Sequence, residues 1–281
     1  MYAGDRARAG ELRERYPHAA EILGLYLALV EVWESAGDGV PLQRARSHVL
    51  PRVVEATAAH GPAPLAGAVA LLGAGVLDGW LADEDLTPVE RYLARATLRV
   101  VPAEARATPG VVPAGAEAGA GAEAGAEAEA EAEADADADA GARPEGRGAA
   151  CATCGGPPQL SFHEASDDPL VTGRRMLECA KCGNQWSFSA TTCPGCGETG
   201  QRTVYAEARP GPQVGRATGD GGVFPHLRAE ACQTCRRYLI DVDLSRDPRA
   251  VPRVDELAAV PIDLHMAEQG YTKITPNLMG F

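Results

Sequence analysis

The sequence predicts an α+β protein, in which a helical bundle comes first and short strands around cysteine turns follow. Three observations predict this order. Apolar residues recur at helical spacing through the first 100 residues, a run of alternating Ala and acidic residues comes next, and all eight cysteines lie after residue 150. A chain of 281 residues is long enough for one large domain or two ordinary ones.

Residues 1–100 are predicted to form the helical domain. In one predicted helix apolar residues recur at helical spacing, at Leu23, Tyr26, Leu27, Val30 and Trp33. Pro17 is typical of a first helical turn, and Gly37 is typical of a helix end. A core of modest size is the most that such a domain can bury.

Three further helical runs complete this predicted domain. One runs from Leu42 to His60 and is interrupted by Pro51. A second, rich in glycine, runs from Leu65 to Trp80. The last begins at the capping box that Thr87 and Glu90 form, with a proline in its first turn.

Residues 101–149 are predicted to be a disordered acidic linker rich in Ala, Glu and Asp. The segment holds no Leu, Ile, Met or aromatic residue, and residues 117–139 hold nine acids and no base. Like charges would repel one another in a strand or in a helix, so neither is stable here. The segment is interpreted as a solubilising spacer, and an interaction tail is the alternative.

All eight cysteines fall in C-x-x-C pairs. The pairs are Cys151/Cys154, Cys179/Cys182, Cys193/Cys196 and Cys232/Cys235. Two thiolates three residues apart lie on one tight turn and point to one place, so two such turns make a tetrahedral four-cysteine metal site. A glycine that can adopt positive φ follows three of the pairs, whereas Arg236 follows the fourth.

The cysteine turns can be combined into two sites in three ways. Loop-closure entropy disfavours the interleaved combination, in which the first pair joins the third and the second joins the fourth. It does not separate the sequential combination (first with second, third with fourth) from the nested one (first with fourth, second with third). The identity of the metal is also undecided, because both zinc and a single iron accept four thiolates. Zinc would be redox-silent, whereas iron could cycle by one electron.

The end of the chain is predicted to be a helix and a docked tail. The helix runs from Val254 to Gln269 and is stopped by Gly270, and we expect Pro261 to kink it. Residues 271–281 carry several large apolar side chains, which we expect to pack on the domain.

Several function classes are disfavoured by composition. No run of about 18 apolar residues occurs, which argues against membrane insertion. The first residues are polar and unlike a secretory signal, so we expect a cytoplasmic location. The net charge of −13, with no basic stripe, argues against nucleic-acid binding. No P-loop, dinucleotide fingerprint or nucleophile elbow is present, so we expect a protein that is not an enzyme.

Longer motifs accompany the four cysteine pairs. Trp186 follows the second pair. The other motifs are Tyr16–Leu23 with Tyr26, the run Phe224–Cys232 followed by Tyr238 and Leu239, and Asp255–Ala258 with Gly270 and Tyr271. Together with the order of the pairs, these motifs resemble those of one family, the formate dehydrogenase accessory proteins of the FdhE type.

This resemblance implies two tandem rubredoxin-like, or zinc-ribbon, modules. Residues 150–190 would form the first, and residues 191–281 would form the second with the C-terminal helix and tail. It also implies sequential pairing, with iron in both sites and zinc as the alternative. The two ligand sets would be Cys151, Cys154, Cys179 and Cys182, and Cys193, Cys196, Cys232 and Cys235.

The resemblance further implies an assembly role. Such a protein binds the catalytic subunit of formate dehydrogenase in the cytoplasm and makes the enzyme active. Arg228 and Glu230, in the signature around Cys232, are candidate contacts to that partner, although Arg228 could instead pair with an acid of its own chain. A rubredoxin-like electron carrier or redox sensor is the alternative function.

Overall fold

The computed structural model describes the chain in four stretches, which are residues 2–106, 149–165, 173–206 and 223–280. The acidic repeat within the predicted linker lies outside the described residues. The two ends of that linker are described. A 3-10 turn at Glu104–Arg106 continues the helical part, and Ala149 leads into the first cysteine turn. The predicted domain boundary at residue 100 stays a prediction.

The first hundred residues are helical, as the sequence predicts. The helices are α1 (Ala3–Arg15), α2 (Ala20–Ala36), α3 (Leu42–Arg44), α4 (Leu50–His60), α5 (Ala63–Val69), α6 (Gly75–Leu81) and α7 (Pro88–Leu98). Among the helices of the described stretches, none combines the length and the apolar character that crossing a membrane requires.

Helix α2 confirms the predicted apolar face and the predicted end. Leu23, Tyr26 and Trp33 are buried, and Gly37 ends the helix with a φ of 76°. The indole N–H of Trp33 donates to the carbonyl of Ala96 on α7 at 2.8 Å. The same face thus supplies apolar burial and one directional bond to a neighbouring helix.

The proline at residue 51 has the local effect that its chemistry predicts. Residues 45–49 form a π turn between α3 and α4, in which the Leu50 N–H donates to the carbonyl of Ala45. Pro51 lacks an N–H and its ring crowds the preceding turn, so the helix widens just before it. The predicted helix over Leu65–Trp80 is wrong as one element, because α5 and α6 are separated by a turn.

One sheet occupies the second half of the chain. Its strands are β1 (Pro158–His163), β2 (Arg175–Cys179), β3 (Gln185–Ser187), β4 (Arg202–Ala206), β5 (Leu227–Cys232), β6 (Arg237–Asp243) and β7 (Thr272–Lys273). The order across the sheet is β3-β2-β1-β6-β5-β4, and β7 also pairs with β6.

The sheet consists of two antiparallel meanders that meet at a parallel pair of strands. Strands β1–β3 form one meander and β4–β6 form the other. The junction is β1 against β6, with Ser161 opposite Asp241. Residues 150–190 supply the first meander and residues 191–281 supply the second, so the two stretches share a single sheet. Their division into separate rubredoxin-like modules stays a prediction.

The C-terminal segment is helical in two short pieces. Helix α8 covers Pro252–Asp255, a 3-10 turn covers Glu256–Ala258, and α9 covers Val260–Glu268. Pro261 lies in the first turn of α9, so it begins a new helix where the sequence predicts a kink.

The apolar core joins the helices to the sheet. One buried cluster includes Leu29 of α2, Leu93 of α7, Ile240 of β6 and Leu257 of the C-terminal segment. In the tail, Leu278 and Met279 pack against the same cluster, as predicted for this segment. The two halves of the chain therefore hold the cysteine turns in a fixed position relative to the helices.

Candidate metal centres

The first group of cysteines lies at two turns of the β1–β3 meander. Cys151 and Cys154 are on the turn before β1, and Cys179 and Cys182 are on the turn between β2 and β3. The four sulfurs lie within 4.8 Å of one another, and all four residues are buried. The Sγ atoms of Cys151 and Cys182 are 3.6 Å apart, and those of Cys154 and Cys179 are 3.4 Å apart.

The second group repeats this arrangement in the other meander. Cys193 and Cys196 lie before β4, and Cys232 and Cys235 lie on the turn between β5 and β6. Their sulfurs also lie within 4.8 Å of one another. The Cys193–Cys235 and Cys196–Cys232 Sγ separations are both 3.8 Å. This group is more open, because Cys196 is exposed.

The sulfur separations suit metal ligation. In a tetrahedral site with metal–sulfur bonds of about 2.3 Å, the sulfurs are about 3.8 Å apart. A disulfide would bring two sulfurs to about 2.0 Å. All eight cysteines are free thiols, so two groups that can each hold a metal ion are present. The grouping is the sequential one that the family resemblance implies.

Three of the four turns are closed by the same backbone bond. The N–H groups of Gly155, Gly183 and Gly197 donate to the carbonyl of the first cysteine of their pair, at 2.8, 3.0 and 2.9 Å. These glycines have φ values of 73°, 73° and 83°. Positive φ is the conformation that glycine adopts without a steric penalty.

The fourth turn reaches the same conformation without glycine. Arg236 has a φ of 56°. Its guanidinium lies 3.8 Å from the ring centroid of Tyr271 and donates to the carbonyl of Gln269. Stacking and this bond offset the unfavourable backbone conformation, so the departure from glycine leaves the turn intact.

Backbone groups also approach the sulfurs closely. The N–H groups of Gly156, Lys181 and Gly195 donate to Cys154, Cys179 and Cys193 at 3.4, 3.3 and 3.3 Å. Such bonds stabilise thiolates. A Cβ at Gly156 would lie 3.1 and 3.2 Å from the sulfurs of Cys179 and Cys154, so only glycine fits there. The donor set and this close approach fit a metal bound by four thiolates.

The electrostatics of the clusters call for a cation. The neighbouring sulfurs of Cys151 and Cys154 raise the pKa of Cys179. Burial raises the pKa of Cys193. In the more open part of the second group, burial is outweighed by N–H donors from Cys235 and Thr234, and the pKa of Cys232 falls to about 7. Four adjacent thiols cannot all ionise unless a metal ion compensates their charge.

The helical part contacts the first group directly. Arg106 donates from its guanidinium to the carbonyls of Lys181 and Cys182 at 3.1 and 3.0 Å. Lys181 also forms an ion pair with Asp83 at 2.6 Å. Sequence reasoning missed these contacts, since no spacing links residues that are 75 or more positions apart.

Both candidate partner contacts have ion-pair partners within the chain. The Arg228 guanidinium lies 2.8 Å from Asp241, and its side chain is 25% exposed. Glu230 pairs with Arg175 at 2.5 Å and with Arg202. Arg228 and Glu230 therefore pair with other residues and not with each other. Contact of either residue with another protein stays a prediction.

A third cluster of ligand-type groups was not anticipated from the sequence. His163, Glu230 and Asp241 lie within 4.8 Å of one another. Arg228 already supplies a positive charge to Asp241 at 2.8 Å, so this cluster is a salt-bridge network within the sheet. The alternation of apolar and polar residues along β1 and β6 predicts which side chains are buried. It does not predict that the side chains of this cluster come together.

Comparison with known proteins agrees with this geometry. Residues 192–279 match the family described as FdhE, C-terminal domain. This stretch contains all four cysteines of the second group. The resemblance to the FdhE family is confirmed.

Curated FdhE homologues match about half of the chain. The one from Aquifex aeolicus is 29% identical over 133 residues, which are 47% of this chain and 41% of that protein. The one from Pseudomonas aeruginosa is 30% identical over 129 residues, which are 46% of this chain and 38% of that protein. The chain therefore spans about two fifths of the length of the curated relatives it matches.

The fold is also similar to a solved FdhE structure. The crystal structure of the FdhE protein from Pseudomonas aeruginosa matches with a TM-score of 0.60 and 20% identity. The match covers 99% of this chain and 95% of that one. At this identity the likeness concerns the fold, which includes the helical part as well as the sheet.

Proposed function

We propose that the chain is an accessory protein for the biogenesis of formate dehydrogenase. In this proposal it binds the catalytic subunit of the enzyme in the cytoplasm and performs no reaction itself. The observation that carries the proposal is the match of residues 192–279 to the FdhE C-terminal domain, together with the complete second cysteine group inside that stretch.

A binding role suits the chemistry of the two centres. Four thiolates complete the coordination of a tetrahedral ion and leave no position for a substrate or an activated water. The eight cysteines would hold iron, and zinc is the alternative. The bound metal supplies a rigid crosslink between two turns, and this crosslink adds stability that the short strands lack.

The surface for a partner is then built by the turns and the sheet. Arg228 lies on β5, four residues before Cys232 of the second centre, and a quarter of its side chain is exposed. We propose that its guanidinium contacts the partner from this position. Glu230 is almost fully buried beside Arg175, so in this proposal it supports the surface from within.

A deletion strain tests the proposal. Formate dehydrogenase activity should fall strongly while the transcript of the enzyme stays unchanged. The tagged chain should capture the catalytic subunit, identified by mass spectrometry. Full activity in the deletion strain, with no capture of that subunit, would contradict the accessory role.

A paired substitution tests the role of Arg228. Arg228→Ala should reduce capture of the catalytic subunit with two metal ions still bound per chain. Arg228 lies 3.7 Å from Asp243, and Arg246 lies 3.4 Å from the same carboxylate. Arg246→Ala is therefore the matched control, because Arg246 lies on the turn after β6 and not on a strand. Equal capture by both variants would assign Arg228 a purely structural role.

An electron carrier or redox sensor is the second candidate function. The observation that favours it is the exposed Cys196, which would bring the edge of the second centre to the surface. The iron-loaded chain would then accept and return one electron without losing metal. A zinc-loaded chain that restores formate dehydrogenase activity would exclude this function, since zinc has no redox chemistry here.

A further inference from the structure

We propose that the cavity between helix α7 and the first cysteine group binds a small oxyanion of the carboxylate or phosphate class. Its ligands would be the guanidinium groups of Arg95, Arg99 and Arg106. This site goes beyond the accessory function and does not depend on it.

The cavity lies where three parts of the chain meet. Its volume is about 60 Å³. Arg95 and Arg99 come from the end of α7, Arg106 comes from the following 3-10 turn, and Cys179 comes from the first cysteine group. By the same measure a water molecule needs roughly 10–15 Å³, so the space holds about four to six waters. A small oxyanion fits, whereas a nucleotide does not.

The three arginines share an unusual property, which is the absence of an ionic partner. Among the residues that the structure describes, no carboxylate forms an ion pair with any of them. Arg95 donates to the carbonyl of Pro276 at 2.8 Å and to the side chain of Gln159. Arg106 is buried, and Arg95 and Arg99 are half-buried. Because charges removed from water are normally paired, three guanidinium groups without a carboxylate partner in one cavity favour a bound anion.

Arg99 is the least satisfied of the three. It forms no hydrogen bond or ion pair to any residue within the described stretches. One of its terminal nitrogens lies 3.0 Å from the place that a Cβ on Gly183 would occupy, so the guanidinium lies beside the cysteine turn. Arg106 adds a buried Nε that also lacks a partner among the described residues.

The other charged groups of the cavity wall already have partners within the chain. Lys181 pairs with Asp83 at 2.6 Å, and Arg253 pairs with Asp5 at 2.9 Å. Glu256 pairs with Lys273 at 2.8 Å, and Glu178 accepts from the side chain of Gln185 at 2.8 Å. Burial lowers the pKa of Arg95 to about 10, against the opposing effect of the Glu256 charge.

The wall of the cavity carries more cationic groups than acidic ones. Five of its side chains are cationic, and two are carboxylates, those of Glu178 and Glu256. This excess of positive groups favours an anion in the cavity. The planar fork of a guanidinium matches the paired oxygens of carboxylates and phosphates, which is why these two classes are the expected ligands.

Isothermal titration of the full-length, metal-loaded protein tests the site. Inorganic phosphate and acetate are titrated separately, with the ionic strength held constant by chloride. We expect saturable binding of one anion per chain for at least one of the two. Stronger binding of phosphate would assign the site to phosphate groups, and stronger binding of acetate would assign it to carboxylates.

Two substitutions on α7 localise the binding. Arg99→Gln should weaken it at least about tenfold, because a charge-assisted bond is lost. Arg91→Gln is the matched control on the same helix, and it should bind as the unmutated protein does. The metal content of both variants should stay at two ions per chain, which separates anion binding from damage to the cysteine group.

The proposal is overturned if neither anion binds beyond the chloride background. Unchanged binding by Arg99→Gln would equally overturn it. If Arg99→Gln loses metal, Arg99→Lys replaces it as the test. This variant keeps the charge but lacks the fork, so it should bind more weakly than the unmutated protein, and equal affinity would contradict the assignment.

Discussion

The residue after each cysteine turn illustrates how local chemistry determines these centres. Three turns use glycine at positive φ, and the fourth uses Arg236. A left-handed conformation costs an ordinary residue about 1–2 kcal/mol, so a glycine there can be predicted from the turn alone. The compensation at Arg236 could not be predicted, because Tyr271 is brought to its guanidinium only by the fold.

Gly156→Ala should remove metal from the first centre only. The added Cβ would lie 2.7 Å from the Cβ of Lys181 and 3.1 Å from the Cys179 sulfur, and neither can move without opening the turn. We expect the metal content to fall from two ions to one, together with a lower melting temperature. Inductively coupled plasma mass spectrometry and a thermal melt measure these changes.

Gly10→Ala is the matched control for that substitution. Gly10 lies inside α1, and a Cβ there would meet no atom within 4 Å. Alanine should therefore stabilise the helix by about 0.5–1 kcal/mol and leave both ions in place. Retention of two ions by Gly156→Ala would show that the first centre is looser than described.

At the scale of elements, covering segments make the two centres different. The turn that carries Arg106 packs on the first centre. All four cysteines of this centre are buried. The second centre faces outward at Cys196. A metal ion that solvent and chelator can reach exchanges faster than one behind packed side chains.

Chelation of the unmutated protein should therefore be biphasic. A colorimetric chelator in excess should remove one ion per chain quickly and the other several-fold more slowly. In Cys179→Ser, which keeps only the second centre, the fast phase should remain and the slow phase should vanish. A single phase for both ions would contradict the difference in exposure.

Whether an element can be predicted from the sequence depends on the residues that its buried face contains. Helix α2 buries Leu23 and Trp33, so periodicity located it, and the Thr87–Glu90 capping box located the start of α7. Helix α1 was not predicted, because two of its buried residues are Asp5 and Arg8. A helix whose inner face is charged has no apolar period to detect.

At the scale of the whole molecule, buried ion pairs join the first helix to the C-terminal segment. Arg8 donates to Asp255 and to Asp247, the latter at 2.7 Å. His226 lies 2.7 Å from the same carboxylate of Asp255. These residues are more than 200 positions apart from Arg8, so no sequence pattern could reveal them.

Arg8→Ala should destabilise the protein strongly. Asp255 is fully buried and would lose its main counter-charge, which typically costs about 3–5 kcal/mol. Arg6→Ala is the matched control on the same helix, because the ion pairs of Arg6 with Glu31 and Glu34 are exposed, and exposed pairs are worth about 0–1 kcal/mol. Urea unfolding measures the free energy of unfolding of both variants. Similar losses of stability for the two would contradict the importance of the buried Arg8–Asp255 ion pair.

The overall arrangement was predicted only in part. The helical first half, the strands around cysteine turns and the two four-cysteine groups followed from composition, spacing and the family resemblance. The parallel pairing of β1 with β6, which merges two meanders into one sheet, did not. It depends on contacts such as Ser161 with Asp241, which are 80 positions apart, and short strands carry no register signal over that distance.

Metal counting in double variants tests most directly that each meander holds its own centre. Native mass spectrometry of the anaerobically purified full chain should show two ions. Cys151→Ser combined with Cys179→Ser should leave one ion, because both substitutions affect the first centre. Cys179→Ser combined with Cys193→Ser should leave none. The reverse result, no ion in the first double variant and one in the second, would contradict the sequential pairing and with it the description of both centres.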